Sequence, residues 1–269
     1  MLSLDRVASI IRDIAASEIM PLFGSLAPDQ IAHKDTPGDP EDVVTQVDHR
    51  VEERLIAELS GIIANATFLG EESAAATPGL LGVLSQDAPV WVIDPIDGTK
   101  NFAGGRQQFG VMVALVQAGR TRASWICVPA SSDMLVAEDR SGTWLNGTRV
   151  QLKAALPAHR RGTIHSRLMP LDVKETIAQN TSGRYEALPS SGAAATEYLD
   201  VIRGIKDFVV YYRLLPWDHA AGALALEEAG GSARHLDGEP YSPLSADQVT
   251  IFAASPLLGQ QIQSFIRPS

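Results

Sequence analysis

One run of the chain limits the folds open to it more than any other: Trp91-Val-Ile-Asp-Pro-Ile-Asp-Gly-Thr-Lys-Asn-Phe102. Pro89 to Asp94 is a short apolar stretch stopped by polar residues, which predicts a buried strand and hence a layered α/β or α+β protein. Asp94 ends that strand, Pro95 forbids a simple continuation of the hydrogen-bond ladder, Asp97 follows three residues later and Gly98 permits a tight turn. Two carboxylates are thereby held at a strand exit. With neighbouring backbone carbonyls they are hard oxygen ligands, suited to Mg²⁺ rather than to softer metals. The run from Gly98 to Asn101 can start a short helix whose N–H groups form an anion site. Taken alone, D-x-x-D-G-T also reads as a turn with a helix cap, so the rest of the chain has to decide.

Before it, Leu4, Val7, Ile11 and Ile14 recur at helical spacing, residues 27–41 read as a polar loop, and Val47, Val51, Leu55, Leu59 and Ile62 form a second helical stripe. A short strand then ends at Glu71 and Glu72. From Phe109 to Leu145, β-type runs separated at Gly119, Ser131 and Asn146-Gly147 predict an antiparallel meander. Beyond it, strands near 162–166, 207–212 and 249–255 alternate with helices near 172–180, 191–203, 217–229 and 256–266, an α/β rhythm. The split falls near 152, giving an α+β segment, 1–152, and an α/β segment, 153–269.

Thirty-two acidic against twenty-two basic residues leave a net charge of −10, which argues against nucleic acid or an anionic membrane as partner. An anionic substrate would need a cation beside it. The single cysteine, Cys127, lies in an apolar run and excludes a disulfide framework or a cysteine-based zinc site. No stretch is long and apolar enough to span a membrane, and the first twenty residues mix acids among apolar residues without a basic start, so a cytoplasmic protein is expected.

Further acidic clusters accompany the central run: Glu71-Glu72 after a glycine, Asp218 in Trp217-Asp-His-Ala-Ala-Gly222, and Asp42-Val-Val-Thr-Gln-Val-Asp48. Each alone is a cap, a turn or a surface charge. Competing chemistries lack their signatures. A phosphoaspartyl mechanism of the haloacid-dehalogenase type wants its second aspartate two residues after the first, not three; G-x-x-x-x-G-K-[ST] and G-x-S-x-G are both absent. The histidines have no ligand-like spacing, and His219, Trp91 and Trp217 are read as structural.

Gly70-Glu-Glu-Ser73, Asp94-Pro-Ile-Asp-Gly-Thr99 with Asn101-Phe102, and Trp217-Asp-His-Ala-Ala-Gly222 followed by Glu228-Ala-Gly-Gly231 resemble the three signatures of the inositol monophosphatase family; Asp42 to Asp48 is similar to its D-x-V-T-x-x-D segment. The motifs stand in family order from about residue 34 to the C-terminus. The resemblance implies a layered α/β/α/β/α sandwich, a homodimer, lithium sensitivity, and a phosphomonoesterase acting on inositol monophosphate or a related polyol or sugar phosphate. It implies that Glu71, Asp94, the carbonyl of Ile96, Asp97 and Asp218 hold two or three Mg²⁺ ions. A metal-activated water, oriented by Thr99, Asp48 and Glu71, would attack phosphorus directly, and the amides of Gly98 and Thr99 would hold its oxygens. Histidinol phosphate, fructose 1,6-bisphosphate or a nucleoside bisphosphate fits the same chemistry; a regulatory binding protein with little turnover is the alternative of another class.

The chain departs from the family around the substrate. Seven residues before the aspartate of the W-D motif, inositol monophosphatases proper carry a glutamate for substrate hydroxyls, where this chain has Tyr211, followed by Tyr212 and Arg213. In Ser191-Gly192-Ala193-Ala194, Ala193 stands where threonine is usual. Gly192, Ala193, Tyr211 and Arg213 are thus candidate substrate contacts, Arg213 either for a second anionic group or as part of a solvated strand edge.

Overall fold

The structure is a computed structural model that describes residues 2–27, 30–34, 43–77, 79–153, 156 and 158–267. Helix α1 (Leu4–Ile14) is capped by Ser3, whose Oγ accepts from Arg6 N at 3.3 Å, and turns Val7, Ile11 and Ile14 inward. It continues through one π-helical turn, Ala15–Ile19. Strand β1 (Ile31–His33) pairs antiparallel with β2 (Val43–Thr45), so the stretch expected to be loop contributes a strand; residues 28, 29 and 35–42, Asp42 among them, lie outside the described residues. Helix α2 (Gln46–Leu59) starts at a capping box between Thr45 and Asp48 and ends at Leu59, leaving Ile62 in the turn beyond.

Strand β3 (Thr67–Gly70) runs directly into helix α3 (Glu71–Ala76). Next come β4 (Val90–Asp97), helix α4 (Thr99–Ala103), and the meander β5 (Gly110–Gln117), β6 (Arg120–Val128), β7 (Asp133–Glu138), β8 (Gly142–Leu145) and β9 (Thr148–Val150). β3 to β9 form one seven-stranded sheet in chain order, parallel only at β3–β4. The remaining elements are β10 (Arg161–Ile164), α5 (Leu171–Thr181), β11 (Glu186–Ala187), α6 (Ala194–Ile202), β12 (Phe208–Tyr211), α7 (Pro216–Glu228), β13 (Ser232–His235), β14 (Thr250–Ala253) and α8 (Pro256–Ile266). Their strands form a second sheet in the order β11-β10-β12-β14-β13. Residues 154, 155 and 157, beside the expected division at 152, lie outside the described residues.

Strand alternation sorts the side chains into three cores, and the cores define the layers. Trp91, Ile93, Val111, Val113 and Trp125 pack against α1 and α2 on one face of the large sheet. Val92, Met112, Ala114 and Ile126 point the other way into a core shared with α6, α7 and with Val209 and Phe252 of the second sheet. On that sheet's far face, Phe208, Val210 and Ile251 meet Ile177 of α5 and Leu258 and Ile262 of α8. The sequence of layers is therefore α/β/α/β/α. Cys127 is buried in β6, as its apolar surroundings predicted.

β4 departs from expectation in an informative way. The strand does not stop at Asp94 but runs to Asp97, with the register against β5 shifting between Asp94↔Met112 and Asp97↔Gly110: Pro95 and Ile96 on one strand face Val111 alone on the other. This is a β-bulge, a position where a strand tolerates proline. The bulge inverts the alternation. Up to Ile93, odd positions face α1 and α2, yet Ile96 also packs there while the Asp97 carboxylate reaches α6. Without the extra residue, Asp94 and Asp97 would point to opposite faces of the sheet.

Candidate functional site

The bulge, the start of α3 and the start of α7 converge on a cavity of about 700 Å³ whose lining includes Glu71, Asp94, Ile96, Asp97, Gly98, Thr99 and Asp218. Gly98 joins β4 to α4 with φ at 81°, and a Cβ there would come within 2.7 Å of the Ala193 Cβ and 3.0 Å of the Gln108 carbonyl oxygen. Glycine is thus required both by the left-handed turn and by the approach of the 192–193 segment. Asn101 ties that segment down, its Nδ2 donating to the Ser191 carbonyl at 2.9 Å. Asp97 accepts Ala194 N at 3.0 Å and Ala195 N at 2.6 Å, which makes it the cap of α6 from across the interface between the two sheets.

Behind the floor lies a hydroxyl–carboxylate relay. Thr99 Oγ1 is 2.9 Å from Asp48 Oδ1 and 2.8 Å from the Ile96 carbonyl oxygen; its one proton serves one of them at a time. Asp48 Oδ2 accepts the Thr45 amide at 2.9 Å and the Thr45 hydroxyl at 2.6 Å, so the capping box of α2 also fixes the carboxylate facing Thr99. Burial pushes the Asp48 carboxyl up to about 6, against the lowering effect of its Thr45 hydrogen bonds.

The floor is electrostatically strained. Burial first, then the charges of Glu71, Asp97 and Asp218, raise the Asp94 carboxyl well above the usual carboxylate range. Asp218 is raised likewise by burial, Glu71 and Asp97. Asp94 Oδ1 is buried with no hydrogen-bond partner among the described residues. Lys34 supplies the only cation held directly on these acids among the described residues, its Nζ lying 2.6 Å from Glu71 Oε1 and 2.7 Å from Glu72 Oε1. Although burial lowers its pKa, those two carboxylates raise it above the usual lysine value. With Glu71 turned to Lys34 and both Asp97 oxygens on α6, no three acidic, histidine or cysteine side chains among the described residues close around a single point. The set still fits a divalent cation: hard oxygens only, excess negative charge, an orphaned Asp94 oxygen, and a lysine ammonium already drawn to the place where positive charge is wanted.

Sequence reasoning missed Lys34, and it missed Glu52. Glu52 Oε2 accepts Glu72 N and Oε1 accepts Ser73 N, both at 2.9 Å, capping α3 and aiming Glu71. Gly70 makes room for it, since a Cβ there would lie 2.1 Å from the Glu52 carboxyl carbon. Glu71 and Glu72 accordingly open a helix rather than merely ending a strand. A glutamate one helix away leaves no local signal, although G-E-E-S at a strand end hints that something must cap the turn.

At the outer wall, the Tyr211 ring stacks on His165 with centroids 4.2 Å apart and planes 6° from parallel. The Tyr211 hydroxyl and Trp217 Nε1 are buried without partners among the described residues. Arg213 is half-buried and lines the cavity, as do Gly192 and Ala193. His219 is held between the Tyr198 hydroxyl at 2.8 Å and the Arg213 carbonyl at 3.0 Å, a structural role. Beneath the 189–192 segment, fully buried Glu197 accepts Ser191 N at 2.6 Å and pairs with the Lys206 ammonium.

Comparison with known proteins places this geometry among relatives. The model described as the inositol monophosphatase family matches residues 3–266. A fructose-1,6-bisphosphatase/inositol-1-monophosphatase of Thermotoga maritima is 28% identical over 205 residues, 76% of each chain. The Nus factor SuhB of Pseudomonas aeruginosa is 30% identical over 207 residues, 74% of each chain. Among solved structures, an IMPase of Thermotoga maritima superposes with a TM-score of 0.79 at 25% identity, covering 98% of this chain and 96% of that one.

Proposed function

The chain belongs to the inositol monophosphatase family of phosphatases, and from that premise we propose that it is a Mg²⁺-dependent phosphomonoesterase of inositol monophosphate or a related polyol or sugar phosphate. One observation carries the reading: the β4 bulge turns Asp94 and Asp97 to the same side, toward Glu71 and Asp218, directly in front of the Thr99–Asp48 pair. Glu71, Asp94, the Ile96 carbonyl, Asp97 and Asp218 would hold the Mg²⁺ ions. When bound, the ions offset the charge of a phosphate ester and make water nucleophilic near neutral pH.

The chain's own residues do the rest. Thr99 Oγ1, able to donate to Asp48 or to the Ile96 carbonyl, accepts a proton from water with its lone pair and orients it. Asp48, with its carboxyl near 6, takes up the proton passed through that hydroxyl. Glu71 fixes the other side of the water. The amides of Gly98 and Thr99, presented by the left-handed turn, hold the ester's oxygens. Asp218, at the first turn of α7, lies toward the leaving alkoxide.

The test is phosphate release from inositol 1-phosphate, fructose 1,6-bisphosphate, histidinol phosphate, adenosine 3′,5′-bisphosphate and glycerol 2-phosphate, each with and without Mg²⁺. Mg²⁺-dependent release supports the reading and identifies the substrate. The relative named Nus factor SuhB favours a second reading, a regulatory binding protein with little turnover. Absence of release from every ester would bring that reading forward.

A further inference from the structure

The cavity is electrically polarised in a way the proposed hydrolysis does not require. Its four lining carboxylates, Glu71, Asp94, Asp97 and Asp218, all belong to the floor. The mouth is lined by Lys100, Arg106, Arg167 and Arg213, the first three exposed and the last half-buried, and by no acid among the described residues. In a chain of net charge −10, two arginines, Arg106 and Arg213, lining the same cavity as the acidic floor set its two ends apart in charge. Among the described residues, the guanidinium groups of Arg106 and Arg213 make no hydrogen bond or ion pair within the protein, so their donors are open to a ligand. Tyr211, rigidly stacked on His165, leaves no carboxylate acceptor for polyol hydroxyls on this wall.

We infer that the preferred ester carries a second anionic group, a phosphate or a carboxylate, bound in the mouth by Arg106 and Arg213 while the scissile phosphate lies on the acidic floor. The planar forks of two arginines suit such a group, and the acids of the floor repel it from the reacting end, which fixes the direction of binding. This inference rests on the phosphatase reading of the floor.

The experiment compares matched esters with Mg²⁺ present: fructose 1,6-bisphosphate against fructose 1-phosphate, and adenosine 3′,5′-bisphosphate against adenosine 3′-monophosphate, with glycerol 2-phosphate reporting on the floor alone. The doubly anionic member of at least one pair is expected to have a kcat/KM at least about tenfold higher at low salt, the advantage shrinking as KCl is added. Arg106→Met and Arg213→Met should each reduce that preference by about tenfold, mainly through KM, because the contact is remote from the reacting phosphorus. Arg213→Lys, which keeps the charge, should retain more of the preference than Arg213→Met does. Equal kcat/KM within both pairs, or substitutions that lower both members equally, would overturn the inference while turnover of glycerol 2-phosphate upheld the phosphatase reading. If no ester turns over, that reading fails, and calorimetric titration of the same pairs decides the mouth: tighter binding of the doubly anionic ester, lost in Arg213→Met, sustains it, and equal or absent binding refutes it.

Discussion

Replacing Lys206 by methionine tests whether the wall of the cavity is held by a buried ion pair. Lys206 and Glu197 have side chains only 3% and 0% exposed, and Lys206 Nζ also donates to the Pro189 carbonyl at 3.1 Å. Burial pushes the Glu197 carboxyl up, but His165, Lys206 and the Ser191 amide together hold it at about 2. Removing the ammonium strands a carboxylate inside the protein, which costs about 3–5 kcal/mol. With an unfolding entropy of about 2 cal/mol/K per residue, the whole chain loses stability at roughly 0.6 kcal/mol per degree near its midpoint, so Tm should fall by about 5–9 °C at pH 7. The acid limb supplies the sign. In the wild type, Glu197 contributes stability above the ordinary carboxylate pKa of 4.5, and the contribution is lost as the pH falls toward 2. In Lys206→Met the stranded group prefers its proton, so acid relieves the cost and the Tm gap narrows between pH 7 and pH 4.5. Glu197→Gln combined with Lys206→Met keeps an acceptor for Ser191 N and should recover most of the loss. Calorimetry over that pH range is the assay. A Tm within 2 °C of wild type at pH 7, or a gap that widens in acid, would refute the reasoning.

Asp94→Asn should lower Mg²⁺-dependent phosphate release by more than about 100-fold. Its melting temperature should match or exceed wild type, because the buried Asp94 oxygen has no partner to lose among the described residues; activity close to wild type would remove Asp94 from the metal site. Gly70→Ala drives a Cβ into the Glu52 carboxylate and should cost about 1–3 kcal/mol in a denaturant melt. The cost should be less than additive with that of Glu52→Ala, since both disturb the same cap. Tyr211→Phe deletes a buried hydroxyl without a partner and should leave stability unchanged or raise it by up to about 1 kcal/mol; a comparable loss in the same melt would reveal a partner.

What the sequence disclosed depended on whether its cause was local. The stripe through Val7, Ile11 and Ile14, the Asn146-Gly147 turn and the buried Cys127 strand are written in near-neighbour periodicity, and the structure follows them. Helices α5 to α8 also fall where their apolar spacing put them, within a few residues at their ends. β4 was misread because proline and aspartate in succession look like the end of a strand; only the pairing with β5, a non-local fact, shows that the chain absorbs them in a bulge. The two-residue strand β11 and the edge strand β1 are too short to leave a pattern. The candidate site residues stand out as a set in the sequence because several acidic motifs recur in one order, and the structure brings Glu71, Asp94, Asp97 and Asp218 to one cavity. Their supports were not: Glu52 lies 20 residues before the amide it caps, and Asp97 lies 97 before its own.

That last cap gives the molecule a reporter. The amide protons of Ala194 and Ala195 end on the oxygens of Asp97, a carboxylate on the floor of the cavity. Anything that draws Asp97 toward the cavity weakens its hold on the first turn of α6, the helix that also carries Glu197 and Tyr198. Occupancy of the cavity is therefore readable as a change in the hydrogen-exchange rate of two backbone amides that end on one floor carboxylate.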